Sequence, residues 1–272
     1  MTCVLVFITT FCVIVFIGDY WGMAMANTDW KSDHLPFAMP ERRWALRQNW
    51  INLTFLHWEV NPEKIRPYIP DDLELDTFQG KAYVGTIPFI MEKVRPYFLP
   101  YLPFISTFPE FNVRTYVKKN GKAGVLFLTL DAQSYVTCTY APRAYGLPYR
   151  YAKADVKVSE ENYIWYSKRT SNGLELRGKS NPVGDIRRAK KNTLEYFLFE
   201  RYCLYVSHND KLYMAYTQHN PWEYRDGEAN IEINSLTESF DLGIKNYLSP
   251  DLVHVTRGVK VKTWDLENID GD

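Results

Sequence analysis

Asn120-Gly121 stands between two runs of aromatic and β-branched residues, Asn112 to Lys118 and Gly124 to Leu130. That dipeptide tolerates the positive φ at both central positions of a type I′ turn, so the segment predicts a tight hairpin. The pattern recurs. Gln79-Gly80, Ser171-Asn172-Gly173 and Asn209-Asp210 each separate two runs of strand length. Twenty Tyr, fifteen Phe and eight Trp supply flat rings suited to a pleated, half-buried surface. A chain built this way is expected to be dominated by antiparallel strands.

The remaining punctuation adds short helices. Trp44 to Val60 has no Gly or Pro and reads as a long first strand. Asn61-Pro62 then suits an N-cap and first turn, with Ile65, Tyr68 and Ile69 on the apolar side and Pro70 as the stop. Leu73–Phe78 and Lys81–Met91 read as strands, and the four prolines of residues 96–109 mark an ordered loop. A helix is expected over Ser134–Tyr145, stopped at Gly146, and another after Thr193. Strands are expected at Tyr149–Val158, Tyr163–Thr170, Leu174–Gly178, Tyr202–His208, Lys211–Gln218 and Leu252–Val261, and a helix over Glu232–Lys245. No linker or repeat interrupts residues 40–272, which read as one α+β domain.

Residues 1–39 are different. Cys3 to Gly18 form an apolar run, short against the ~20 residues of a spanning helix. Three readings stay open: a translation start at Met23 or Met25, a membrane anchor reaching to about residue 22, or a signal peptide cut after Ala24-Met25-Ala26. With Lys31, Arg42, Arg43 and Arg47 following the run, an anchor would leave the domain in the cytoplasm. Lys+Arg and Asp+Glu balance at 32 each, so no field favours nucleic acid or an anionic membrane. A small molecule is the expected partner, and membrane contact only through residues 1–22.

General chemical motifs are sparse. No phosphate loop, dinucleotide fingerprint, zincin helix or nucleophile elbow occurs. The four cysteines and five histidines are not at metal-ligand spacing, so neither metal nor cofactor is expected. Cys203 has no base beside it in sequence, Glu200 and Arg201 are expected to pair as a structural ion pair, and His219 to lie at the surface with Trp222 packed.

Longer words carry more. Val60-Asn61-Pro62-Glu63-Lys64-Ile65-Arg66-Pro67, Ile69-Pro70 with Leu73-Glu74-Leu75-Asp76, Phe108 to Val117, Gly146-Leu147-Pro148-Tyr149 and Glu200 to Tyr205 resemble the YqjF-like family of uncharacterised bacterial proteins. The resemblance runs from about Arg43 to Trp264. It implies a distant branch of the acetoacetate-decarboxylase-like superfamily, hence a mainly antiparallel, curved β-barrel around a pocket, with a few short helices. Enzymes of that superfamily use a Schiff-base lysine activated by a neighbouring cation, acetoacetate decarboxylase being a standard case of a desolvated lysine nucleophile. The stretch matching their lysine pair is Tyr149-Arg150, and neither side chain forms an imine. The resemblance places the pocket carboxylate within Glu110–Arg114. The candidate lining is therefore Glu110, Arg114, Tyr149 and Arg150, with the arginines suited to a carboxylate or phosphate. Non-covalent binding of an anionic or carbonyl-bearing molecule is expected. The alternatives are acid/base chemistry on Tyr149, if a guanidinium lowers its pKa, and a tethered scaffold without ligand.

Overall fold

The computed structural model describes residues 30–103 and 105–270. Its strands are β1 (Leu46–Val60), β2 (Glu74–Leu75), β3 (Ala82–Pro96), β4 (Phe108–Lys119), β5 (Lys122–Ala132), β6 (Tyr149–Ser159), β7 (Asn162–Arg169), β8 (Glu175–Arg188), β9 (Cys203–His208), β10 (Lys211–His219), β11 (Glu223–Asn234), β12 (Leu252–Thr263) and β13 (Glu267–Asn268). Short helices α1 (Pro62–Ile65), α2 (Tyr135–Tyr145), α3 (Leu194–Phe199) and α4 (Ser235–Glu238) interrupt them. This is the mainly antiparallel, curved sheet with few helices that the sequence leads one to expect.

Local signals act where they were read. Asn120 and Gly121 hold φ of 50° and 73° at the β4–β5 turn, and the strands pair from Glu110↔Ala132 to Lys119↔Lys122. Asn61 accepts from the Glu63 N–H at the start of α1. Ser134 accepts from the Thr137 N–H and Gly146 closes α2 in the left-handed conformation at φ 63°. Ser134→Ala is expected to cost about 1 kcal/mol, read as a lower urea midpoint at constant slope.

The sheet closes on itself. Its central part runs β9-β5-β6-β7-β8-β11-β12-β1-β3-β4, and β4 also pairs with β5, while β10 also pairs with β12. The β5 strand gives parallel bonds to β9 at Val125–Leu126 and to β6 at Leu130–Ala132. One ring of pairings is therefore β1-β3-β4-β5-β9-β10-β12. Along β4, alternate side chains enter two different cores. Phe111, Val113 and Val117 pack with Leu56, Trp58 and Trp165. Phe108 and Tyr116 pack with Phe55, Phe89, Phe199 and Trp222.

Two expectations need correction. The Glu232–Lys245 helix shrinks to the four residues of α4, capped by Asn234, because β11 runs through Asn234 in register with β8. Positive φ at Asp241 and Gly243 then turns the chain away from a helix. The strand expected over Leu73–Phe78 is only the two residues of β2, after which Phe78 and Lys81 form an isolated bridge.

At the N-terminal side, the compact unit begins at Lys31. Phe37 meets Tyr216 edge-on at 5.8 Å, and the Lys31 N–H donates to Asn220 Oδ1 at 3.1 Å. The readings of residues 1–22 lie outside the described residues. Among the described residues no helix is long and apolar enough to cross a membrane.

Candidate ligand-binding site

A cavity of about 150 Å³ lies within the ring of strands, its lining drawn from β1, β3, β4, β5, β9, β10 and β12 and from Phe199 at the end of α3. Trp50, Leu130, Phe199 and Trp222 make much of it apolar. Glu110, Arg114 and Tyr149 also line it. They are 3%, 8% and 8% exposed, so their polar groups face the cavity or the protein rather than bulk water.

Glu110 and Arg114 are four residues apart on one face of β4. The Tyr149 hydroxyl, from the first residue of β6, donates to Glu110 Oε2 at 2.7 Å. Glu110 has no cation partner among the described residues. Burial pushes its carboxyl up to about 7 against the pull of that hydrogen bond. Burial and the adjacent Glu110 push the Tyr149 phenol well above its ordinary value. Tyr149 therefore keeps its proton, the opposite of what a Tyr149 base requires.

Arg114 donates from Nη2 to the Leu198 carbonyl at 3.2 Å, one of the carbonyls left open at the end of α3. Its Nε has no hydrogen-bond partner and no carboxylate pairs with the guanidinium among the described residues. A buried cation so placed is expensive unless something else answers it.

Arg150 does not join this group. It is exposed and its Nη1 turns back to the Tyr149 carbonyl at 3.1 Å, because neighbouring residues of a strand point to opposite faces. No lysine is among the described lining residues, and Lys153 is exposed.

Other expectations shift as well. Arg201 pairs with Asp76 at 2.6 Å rather than with Glu200. Glu200 instead accepts from the Tyr202 hydroxyl, and from the Trp222 N–H at 3.1 Å. His219 is 1% exposed, lines the cavity and stacks on Tyr202 at 4.6 Å, so it is not a surface residue. Burial lowers its pKa to about 4, leaving the imidazole neutral at neutral pH. Gln48 and Trp50 of β1 also reach the cavity. Nothing local in the sequence marks either, since the ring closure alone brings them there. Burial raises the Cys203 thiol to about 11, which suits packing rather than nucleophilic attack.

The architecture defines an acetoacetate-decarboxylase-like fold. Acetoacetate decarboxylase from Legionella pneumophila superposes with a TM-score of 0.59 at 16% identity, over 86% of this chain and 93% of that one. An acetoacetate decarboxylase-like enzyme from Sphingomonas wittichii RW1 gives 0.60 at 11% identity, over 86% and 98%. The enduracididine biosynthesis enzyme MppR complexed with pyruvate gives 0.56 at 12%, over 85% and 92%. Within that fold the chain belongs to the DUF2071 family, described as an uncharacterized conserved protein, which matches residues 47–260. It is 35% identical over 230 residues to the uncharacterized protein YqjF of Bacillus subtilis (strain 168), covering 84% of this chain and 94% of that one.

Proposed function

We propose that the chain binds a small anionic or carbonyl-bearing molecule in this cavity, without covalent attachment to a lysine. The observation that carries the reading is Arg114: a buried guanidinium with no carboxylate partner among the described residues, lining a cavity of about 150 Å³. An engineered cavity of about that size takes up benzene, so a ligand of about six non-hydrogen atoms is the right scale. Glu110 and Tyr149 supply further polar contacts, and the apolar walls exclude water from them. That MppR, a neighbour in fold, was solved with pyruvate fits this size and charge.

The test is thermal unfolding of the purified protein against short carboxylates, oxo acids, aldehydes and phosphate. A ligand at 100 times its dissociation constant adds about 2.7 kcal/mol, worth about 2–4 °C per kcal/mol in a domain this size. Arg114→Ala is expected to abolish the shift, and Arg150→Ala, on the outer face, to keep it. No shift with any compound, or an undiminished one in Arg114→Ala, overturns the reading.

A further inference from the structure

We propose that Glu110 is the proton-transfer group for an imine-free enolisation of a short oxo acid in this cavity. The inference rests on the ligand reading above and adds a reaction to it.

The geometry places a carboxyl and a cation in the lining of one small, largely apolar cavity. Along an extended strand, four residues put the Glu110 and Arg114 Cα atoms about 13 Å apart. The two side chains point to the same cavity and form no ion pair with each other. Glu110 Oε2 is occupied by the Tyr149 hydroxyl, whereas Oε1 has no hydrogen-bond partner among the described residues. Arg114 is tied by one N–H to Leu198 and keeps donors for an oxygen of the ligand.

In the step, Glu110 Oε1 takes a proton from the carbon beside the carbonyl. The C–H electron pair becomes the carbon–carbon π bond, and the carbonyl π pair moves onto oxygen as an enolate. The Arg114 guanidinium offsets that charge where little water competes. Return of the proton from Glu110 to carbon restores the oxo acid, and return after exchange with solvent replaces the hydrogen. No co-reactant is consumed.

The groups facing Glu110 fit this role. Tyr149, from β6, holds its own proton and orients the carboxyl. Cys138, from α2, is pushed up to about 11 and stays a thiol. Arg114 lines the same cavity from the same strand as Glu110, and His219, from β10, is kept neutral by burial. The carboxyl at about 7 is thus the group that titrates near neutrality, where a general base works best.

The experiment follows pyruvate and 2-oxobutyrate by proton NMR in D2O at pH 8 with the purified protein. Loss of the signal from the carbon beside the carbonyl is expected to outrun buffer, and Glu110→Gln to slow it by about 100-fold. The rate is expected to rise with pH through about 7. Tyr149→Phe moves that midpoint upward, since the lost hydrogen bond had favoured the carboxylate. A merely structural Glu110 would leave the midpoint where it was, and that result overturns the proposal. So does exchange that survives Glu110→Gln, or a mass adduct trapped by borohydride with pyruvate. Binding without exchange overturns the proposal and leaves the ligand reading standing. Failure of both compounds to bind overturns this proposal, and the ligand reading falls with it only if carboxylates, aldehydes and phosphate give no thermal shift either.

Discussion

Glu110→Gln is expected to leave stability nearly unchanged near pH 4 and to raise it by about 3 kcal/mol at pH 8. The folded protein holds the Glu110 proton up to about 7, against an ordinary value of 4.5. Between those two pH values the folded state binds more protons than the unfolded one, so stability falls as pH rises and levels off above 7. The cost is that of an ionised carboxyl in an apolar wall with a single hydroxyl to answer it. Glutamine keeps an acceptor for Tyr149 and carries no charge. His219 and His254, both lowered to about 4 by burial, act in the opposite sense. They cost stability as pH falls below about 6.5, since the unfolded state then takes up protons first. The difference between wild type and variant cancels them. Urea midpoints at half-unit pH steps check this, and parallel curves for the two proteins would sink the argument.

Asp76→Ala is expected to cost about 3–5 kcal/mol, the usual penalty for stripping one partner from a buried ion pair. Asp76 holds Arg201 at 2.6 Å, with side chains 15% and 5% exposed. Arg201 is otherwise fastened by its Nε to the Phe197 carbonyl and lies over the Phe197 ring at 4.2 Å. With Asp76 gone, an unpaired guanidinium remains in the cavity wall. Asp76→Ala with Arg201→Met is expected to recover much of the loss, since the pair is then removed together and methionine fills the stem's volume. Denaturant unfolding of the two single variants and the double variant measures the coupling. Additivity of the two single losses would mean that the pair contributes nothing beyond its parts.

Much of this fold is legible because its signals are local. A positive φ at Asn120-Gly121, a cap at Asn61 and another at Ser134 each depend on a few adjacent residues. The β11 strand is not legible for the opposite reason. Charged residues occupy its solvent face, among them Glu223, Glu228 and Glu232, and its identity comes from pairing with β8 and β12. The site divides in the same way. Glu110, Arg114 and Tyr149 are reached through the motif words they sit in, while the phase of the β6 strand takes Arg150 outward. His219, Gln48 and Trp50 enter only when β10 and β1 are both bonded to β12, distant in sequence from each.

The two-sided burial of β4 has a consequence for how the chain finds its native pairing. One face carries Phe111, Val113 and Val117, the other Glu110, Asn112, Arg114 and Tyr116. A slip of one residue exchanges the faces. It would drive a carboxyl, an amide and a guanidinium into the core of rings and hydrocarbon around Trp58 and Trp165. Such a misalignment is punished far more heavily than in a strand buried on both sides by hydrocarbon alone, where a slipped register still hides grease in grease. The polar residues on that face therefore double as a registration mark, letting the hairpin at Asn120-Gly121 lock only one way.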